Sequence, residues 1–134
     1  MTSGHFDHVA IEVAHIEQHV RLLTATGALH LIREGTVGAT GQRIAMLGDG
    51  TGARVELIES RGIEQPSLAH MAIRVPEVEA ARERLIANGW EPVRGPNELI
   101  AANARSALLR DSQGLHLQVI SYAEGSPDRE GHAP

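Results

Sequence analysis

The sequence contains no cysteine and few aromatic residues, and these two absences limit the kinds of site that it can form. Without thiols there is neither a disulfide framework nor a thiolate metal site, so a metal must be bound by histidine, carboxylate or amide groups. One Trp, one Tyr and one Phe leave an aliphatic interior with little surface on which a flat ligand could stack.

The chain also lacks an excess of positive charge and any long apolar run. Its 12 basic and 17 acidic residues give a formal net charge of -5, which repels nucleic-acid phosphates and anionic membranes. No apolar stretch approaches the roughly 18 residues of a membrane span, and the N-terminus has no secretory pattern. We therefore expect a cytoplasmic protein that binds a small-molecule substrate and neither nucleic acid nor membrane.

An internal repeat divides the chain into two similar halves. When the sequence is shifted by 70 − 8 = 62 positions, His8 aligns with His70 and the alignment continues without a gap. Two copies are too few for a solenoid, so they must pack on each other within a single domain. The repeat predicts a first module over residues 5–60, a second over 67–122, and a flexible tail over 123–134, which is rich in Gly, Pro and charge.

Each module has the pattern of a strand, a helix and three further strands. Residues 8–13 alternate polar and apolar, as in a half-buried strand. Ile16, Val20 and Leu23 then recur at helical spacing, and Gly27 suits the end of that helix. The pattern predicts an α+β fold in which two βαβββ modules form a curled mixed sheet around a metal cavity.

The second module repeats this pattern with different boundary residues. Pro76 is expected in the first turn of its helix and Gly89 at the end. A loop is expected over residues 95–103. The remaining strands are predicted near residues 28–33, 42–47 and 54–59, and near 90–94, 105–110 and 115–121.

Polar residues on the inward faces of the two modules are expected to meet near the axis that relates them. The first module offers His8 and Glu56, and the second offers His70 and Gln118 at the equivalent positions. Two histidines, a carboxylate and an amide oxygen suit one divalent ion per site, which can be Ni²⁺, Co²⁺, Zn²⁺, Fe²⁺ or Mn²⁺. Alternatively, Gln118 hydrogen-bonds a neighbour or a bound ligand, and His116 replaces it.

Four segments of the chain resemble the vicinal-oxygen-chelate superfamily, which includes glyoxalase I, methylmalonyl-CoA epimerase, extradiol dioxygenases, and fosfomycin and bleomycin resistance proteins. The resemblance extends from Asp7 to about Tyr122 and is nearest to the epimerase and glyoxalase I branches. The segments are DHVAIEV, RIAMLGDGTGARVELIE, LAHMAIRV and LLRDSQGLHLQVI.

The resemblance implies the same ligand set, with one departure. It assigns ligand roles to His8, His70 and Glu56, and places the fourth ligand at Gln118, four residues after Gly114. Glyoxalase I and the epimerase look as though they have a glutamate at this position, and that glutamate serves as ligand or base. With one carboxylate and three neutral ligands a dication keeps a formal charge of +1, which predicts a stronger Lewis acid and a weaker metal binder.

Four further polar residues are candidates for contact with a substrate. Glu12 and Arg74 occupy equivalent positions, either as a structural ion pair or as a base and an anion clamp. Arg54 is in register with His116, which shares a strand face with Gln118 and lines the pocket or its rim. We expect Arg54, Arg74 and His116 to bind substrate.

These features predict a metal-dependent isomerase, epimerase or lyase acting on a small carbonyl or carboxyl compound. The substrate is expected to chelate the metal through vicinal oxygens, and an enolate-type intermediate is stabilised. The base is either Glu56, after leaving the metal, or Glu12. The alternatives are a non-catalytic small-molecule or antibiotic-binding resistance protein, and an accessory protein that retains the site without activity.

A homodimer is expected because sheets of this kind leave an exposed face or edge. The two modules of one site then come from one chain or are exchanged between chains.

Overall fold

The computed structural model describes residues 4–129, which form one curled sheet of eight strands with two helices on its outer side. A short 3-10 helix, Pro127–Arg129, follows the last strand. In chain order the elements are β1 (His5–Val13), α1 (Ile16–Thr24), β2 (His30–Thr36), β3 (Arg43–Gly48), β4 (Arg54–Glu59), β5 (Ser67–Arg74), α2 (Val78–Ala87), β6 (Glu91–Leu99), β7 (Ala104–Arg110) and β8 (His116–Tyr122).

The strand order reproduces the internal repeat. It runs β2-β3-β4-β1-β5-β8-β7-β6, so each module contributes four adjacent strands and the first strands of the two modules meet at the centre. β1 and β5 pair antiparallel, whereas β1 with β4 and β5 with β8 pair parallel. The predicted α+β half-barrel of two βαβββ modules is therefore confirmed.

Each helix covers the outer face of its own module. In the first module Ile16 of α1 packs with Leu47 and Leu57, and in the second Val78 of α2 packs with Leu109 and Val119. The N-terminus of α1 is capped from β4, because the backbone N–H of Ile16 donates to the Glu59 carboxylate over 3.2 Å. With their apolar side chains directed outward, the strands leave their inner face free for polar residues.

Three predictions of local structure are wrong. Residues 95–99 belong to β6 and not to a loop; β6 is an edge strand with two register shifts, where glycine and proline are tolerated. Pro76 precedes α2 and is not part of it. The tail is ordered over residues 123–129, where Ser126 and Asp128 are buried; residues 130–134 lie outside the described part of the chain.

The open sides of the half-barrel are bridged by a close contact. A Cβ on Gly35, in edge strand β2, would lie 2.5 Å from the Cβ of Ala101 in the β6–β7 turn. Only glycine fits there without movement of the turn, so the first module reaches across to the second. Among residues 4–129, no helix has the length and apolar character needed to cross a membrane.

Candidate metal centre

The four predicted ligands lie on the four central strands of the sheet, side by side on its inner face. All four are buried, with between 1% and 9% of their surface exposed. They are Glu56 on β4, His8 on β1, His70 on β5 and Gln118 on β8.

Two alanines separate these residues and leave space between them. Ala10 of β1 lies in register with Glu56 on one side and with His70 on the other. Ala72 of β5 has the equivalent place between the other two residues. Neither alanine is exposed, and their methyl groups are small enough for four longer side chains to converge above them.

Three of the converging side chains have the spacing of ligands to one ion. The Nε2 atoms of His8 and His70 lie 3.8 Å and 3.9 Å from Oε1 of Glu56, and all three ligand atoms lie within 4.8 Å of one another. Two atoms bound to the same ion at about 2.1 Å are at most about 4.2 Å apart, so both distances to Glu56 fit.

The polar atoms that face this space have unused bonding capacity. Within residues 4–129, Nε2 of His8, Nε2 of His70 and Oε1 of Gln118 are buried and have no hydrogen-bond partner. Leaving such atoms unsatisfied costs about 1–3 kcal/mol each. A divalent cation would satisfy these lone pairs together, so the residues present fit the metal that the sequence predicts.

His8 is oriented by a carboxylate behind it. Its Nδ1 lies 2.6 Å from Oδ2 of Asp7, and since a carboxylate only accepts, Nδ1 carries the proton. The lone pair of a neutral ring is then on Nε2, on the side of Glu56. Burial alone would raise the pKa of Asp7, but its hydrogen bonds with His8 and Tyr122 and the charge of Arg54 hold that pKa well below its usual range.

Glu56 is held in a similar way by an arginine. Nη2 of Arg33 donates to Oε2 of Glu56 over 2.6 Å, which leaves Oε1 for the two histidines. Burial would raise the pKa of Glu56, but electrostatic interactions with His8, Arg33 and His70 lower it instead. A carboxylate with a lowered pKa is a weak base, so this arrangement suits a fixed ligand better than a proton acceptor.

His70 is neutral at physiological pH. Its pKa is lowered to about 4, mainly by burial and also by His8, Arg94 and His116, while Glu56 has the opposite effect. A neutral imidazole has the free lone pair that a metal requires.

A cavity of about 920 Å³ opens from these residues along the inner face of the sheet. Its wall includes Glu12, Arg33, Arg94 and His116, and aliphatic side chains such as Leu108. It is large enough for a small-molecule substrate beside the ligands.

The family of the chain follows from its match to known proteins. A model of the Glyoxalase/Bleomycin resistance protein/Dioxygenase superfamily matches residues 7–108. The chain belongs to this superfamily. No curated relative matches it in sequence.

Solved structures of this fold superimpose closely. Methylmalonyl-CoA epimerase from Mycobacterium tuberculosis has a TM-score of 0.76 and 23% identity, over 88% of this chain and 87% of that one. A methylmalonyl-CoA epimerase in complex with methylmalonyl-CoA and NH4+ has a TM-score of 0.77 and 17% identity, over 93% and 99%. A hypothetical protein from Bacillus halodurans has a TM-score of 0.76 and 22% identity, also over 93% and 99%. At such identities the likeness shows a shared fold.

Within this superfamily fold, Arg54 does not have the role that the sequence predicts. Its side chain is buried, and its Nη2 donates to Asp7 over 2.6 Å and to the hydroxyl of Tyr122 over 3.1 Å, while Nη1 donates to the main-chain carbonyl of Asp128. Arg54 does not line the cavity. The prediction of substrate contact is wrong because the buried carboxylate of Asp7 requires a cation, and Arg54 supplies it.

Glu12 and Arg74 are likewise separated. β1 and β5 run antiparallel, so Glu12 pairs with Ser67 at one end of the two strands and Arg74 pairs with His5 at the other. Arg74 approaches Asp7, at 3.9 Å, and does not line the cavity, which contradicts its predicted substrate contact. Glu12 does line the cavity.

His116 also lines the cavity. Its Nδ1 lies 3.0 Å from the carbonyl oxygen of Gly114, which can only accept, so a neutral ring has its lone pair on Nε2. Its place two residues before Gln118 on β8 puts both side chains on the inner face.

The sequence interpretation missed the charged residues that support the site. Asp7 directly precedes His8 and could have been recognised as its orienting carboxylate. Asp128 follows Ser126 and proline, a common start of a helical turn, and this signal argued against a flexible tail. Arg33 has no sequence signal, because its partners Glu56 and Asp128 lie 23 and 95 positions away.

Proposed function

We propose that this protein is a divalent-metal-dependent enzyme that binds its substrate through two neighbouring oxygens and stabilises an enolate-type intermediate. The reaction class is isomerisation, epimerisation or elimination at a carbon next to a carbonyl or carboxyl group. The observation that carries the proposal is the pair of buried, unpartnered Nε2 atoms of His8 and His70 near Oε1 of Glu56, in the wall of a cavity that the unpartnered Gln118 also lines.

The protein side chains divide into ligands and supporting groups. His8, His70, Glu56 and Gln118 would hold the ion, and Asp7 and Arg33 fix the orientation of two of them. When bound, the divalent ion would supply positive charge to the substrate oxygens, which is worth several kcal/mol as negative charge develops on them. Gln118 adds no charge, so less of that positive charge is neutralised by the protein.

Glu12 is the proposed proton acceptor. It lines the cavity, whereas Glu56 is engaged by Arg33 and has a lowered pKa. Glu12 lies two residues beyond Ala10 on the same face of β1, about 7 Å along the strand, so its carboxylate would act on a substrate carbon close to the chelated oxygens. His116 and Arg94 line the same cavity and are proposed to contact the substrate.

The composition of the cavity disfavours a drug-sequestering protein. Among the described residues, no Phe, Trp or Tyr lines it, and flat drugs are usually held by such side chains. A homodimer and a cytoplasmic location remain predictions.

Exchange of substrate protons with solvent tests the proposal across several classes of compound at once. Metal-loaded and chelator-stripped protein would be incubated in D₂O with a panel of 2-oxo acids, α-hydroxy ketones and 2-substituted malonyl thioesters. The thioesters are included because the structural neighbours include methylmalonyl-CoA epimerases. We expect metal-dependent deuterium incorporation at the α-carbon of one class, detected by NMR, and its loss in Glu12→Gln. Full activity in Glu12→Gln would exclude Glu12 as the base.

A further inference from the structure

The segment after β8 folds back into the end of the half-barrel. The N–H of Ala123 donates to the carbonyl of Asn103 over 2.9 Å, and the Ser126 hydroxyl donates to the carbonyl of Ala102. These contacts bring Asp128 into the interior, where none of its surface is exposed. A carboxylate so completely buried needs charged or hydrogen-bonded partners.

The side chain of Asp128 is connected to one proposed ligand by hydrogen bonds. Nε of Arg33 donates to both carboxylate oxygens of Asp128, at 2.8 Å and 3.1 Å. The other end of the same guanidinium donates to Oε2 of Glu56 over 2.6 Å. Since the guanidinium is planar and rigid, fixing its Nε side also fixes the direction from which it reaches Glu56.

The main chain of Asp128 is connected to a second proposed ligand by hydrogen bonds. Its carbonyl oxygen accepts from Arg54, and Arg54 donates to Oδ2 of Asp7 over 2.6 Å. The same Oδ2 lies 2.6 Å from Nδ1 of His8. One residue near the end of the chain is thus connected to both first-module ligands.

We propose that Asp128 is a positioning residue that sets the metal affinity of the site, acting on Glu56 through Arg33. This inference rests on the proposed metal site. Without the Asp128 carboxylate, Arg33 keeps one carboxylate partner and turns to form a bidentate pair with Glu56. It then competes with the metal for Oε1.

The test compares two carboxylate-to-amide changes on the same segment. Asp128→Asn removes the buried carboxylate and keeps the main-chain contact to Arg54, whereas Glu124→Gln changes an exposed residue and serves as the control. Metal-free proteins would be titrated with Co²⁺, and both the Kd and the visible absorption of the loaded site recorded. We expect Asp128→Asn to weaken Co²⁺ binding about 10-fold to 100-fold and to shift the absorption bands. Glu124→Gln should match the wild type.

A double-variant cycle separates this role from general destabilisation. If Asp128 acts through Arg33, Arg33→Met weakens binding, and adding Asp128→Asn to Arg33→Met causes no further loss. The double variant removes the buried charges of both Arg33 and Asp128. Its Co²⁺ affinity can therefore be measured even if Asp128→Asn alone does not fold.

Three outcomes would overturn the proposal. A Kd for Asp128→Asn within twofold of wild type, with unchanged absorption, refutes it and leaves the metal site standing. If the losses of Co²⁺ affinity caused by Arg33→Met and Asp128→Asn add fully in the double variant, the proposal is also refuted. Wild-type protein that binds neither Co²⁺ nor any of Ni²⁺, Zn²⁺, Fe²⁺ and Mn²⁺ overturns both this inference and the proposed function.

Discussion

Each module offers one proposed histidine ligand and one proposed oxygen ligand, yet the two modules hold these residues differently. In the first module, His8 and Glu56 each have a charged residue behind them, Asp7 and Arg33. In the second, the only ion pair of His70 within residues 4–129 is with Glu56 itself, at 3.9 Å, and Oε1 of Gln118 is buried without a hydrogen-bond partner. At the equivalent second-module positions, Asp7, Arg33 and Arg54 are replaced by Ala69, Gly95 and His116.

This difference indicates that the two modules have different roles at the proposed site, which the duplication alone does not reveal. The first module has an ionic network and contains Glu56, the one negatively charged residue among the four proposed ligands. In the second module His116, which replaces Arg54, contributes a polar ring to the cavity wall, and Gly95, which replaces Arg33, has no side chain with which to form such a network. Fixed charge on one side and neutral polar groups on the other suit a site that orients a metal and admits a substrate.

Removal of the first-module carboxylate should have the largest effect. Glu56→Gln eliminates the only negative ligand, and we expect metal affinity to fall by more than about 100-fold, since changes behind a ligand already cost 10–100-fold. Competition with a chromophoric chelator measures this metal affinity. Gln118→Ala is the matched change in the second module and should cost less; equal losses would contradict the proposed asymmetry.

Asp7→Asn should weaken metal binding about 10-fold to 100-fold, because His8 loses its orienting carboxylate. It should also destabilise the protein by about 3–5 kcal/mol in urea unfolding, because Arg54 is left buried without its anion. Arg74→Gln is the control: Arg74 lies 3.9 Å from Asp7 and is partly exposed, so its loss should cost less than about 1 kcal/mol. Equal effects of the two changes would show that Asp7 has no special role.

Gln118→Glu would make the two modules alike in their oxygen ligands. A second carboxylate should tighten metal binding about 10-fold, since more negative charge faces the dication, and should lower turnover because less positive charge remains for the substrate. Isothermal titration and the deuterium-exchange rate measure the two effects. Weaker metal binding in this variant would indicate that Gln118 does not face the metal.

The contact between the module edges can be tested separately from the metal. Gly35→Ala should destabilise the protein by about 1–3 kcal/mol, because its Cβ would lie 2.5 Å from that of Ala101. In Gly38→Ala the new Cβ has no heavy atom within 4 Å, so unfolding should be nearly unchanged. If Gly35→Ala unfolds like wild type, the β6–β7 turn moves freely and does not hold the edges together.

The scaffold could be predicted from sequence because its signals are local or repeated. β4 occupies residues 54–59 as predicted, since alternation and flanking turns determine a central strand. The convergence of His8 with His70 follows from the repeat, because equivalent positions meet at the axis between the modules.

The charged network could not be predicted in the same way. Asp7 and Arg54 are 47 positions apart, and Arg33 and Asp128 are 95 apart, with no period or repeat to connect them. These ion pairs form because a buried carboxylate needs a positively charged partner, and the fold determines which arginine lies close to it. This is why Arg54 was wrongly expected to bind substrate and the segment around Asp128 was expected to be flexible.

The central claim is that the two modules together hold a metal ion. Protein purified without chelator, and then supplied in turn with Ni²⁺, Co²⁺, Zn²⁺, Fe²⁺ and Mn²⁺, should contain about one equivalent of at least one of them by elemental analysis. Glu56→Gln should contain far less under the same conditions. Less than about 0.1 equivalent in the wild type, with no gain from any of the five ions, would contradict the account.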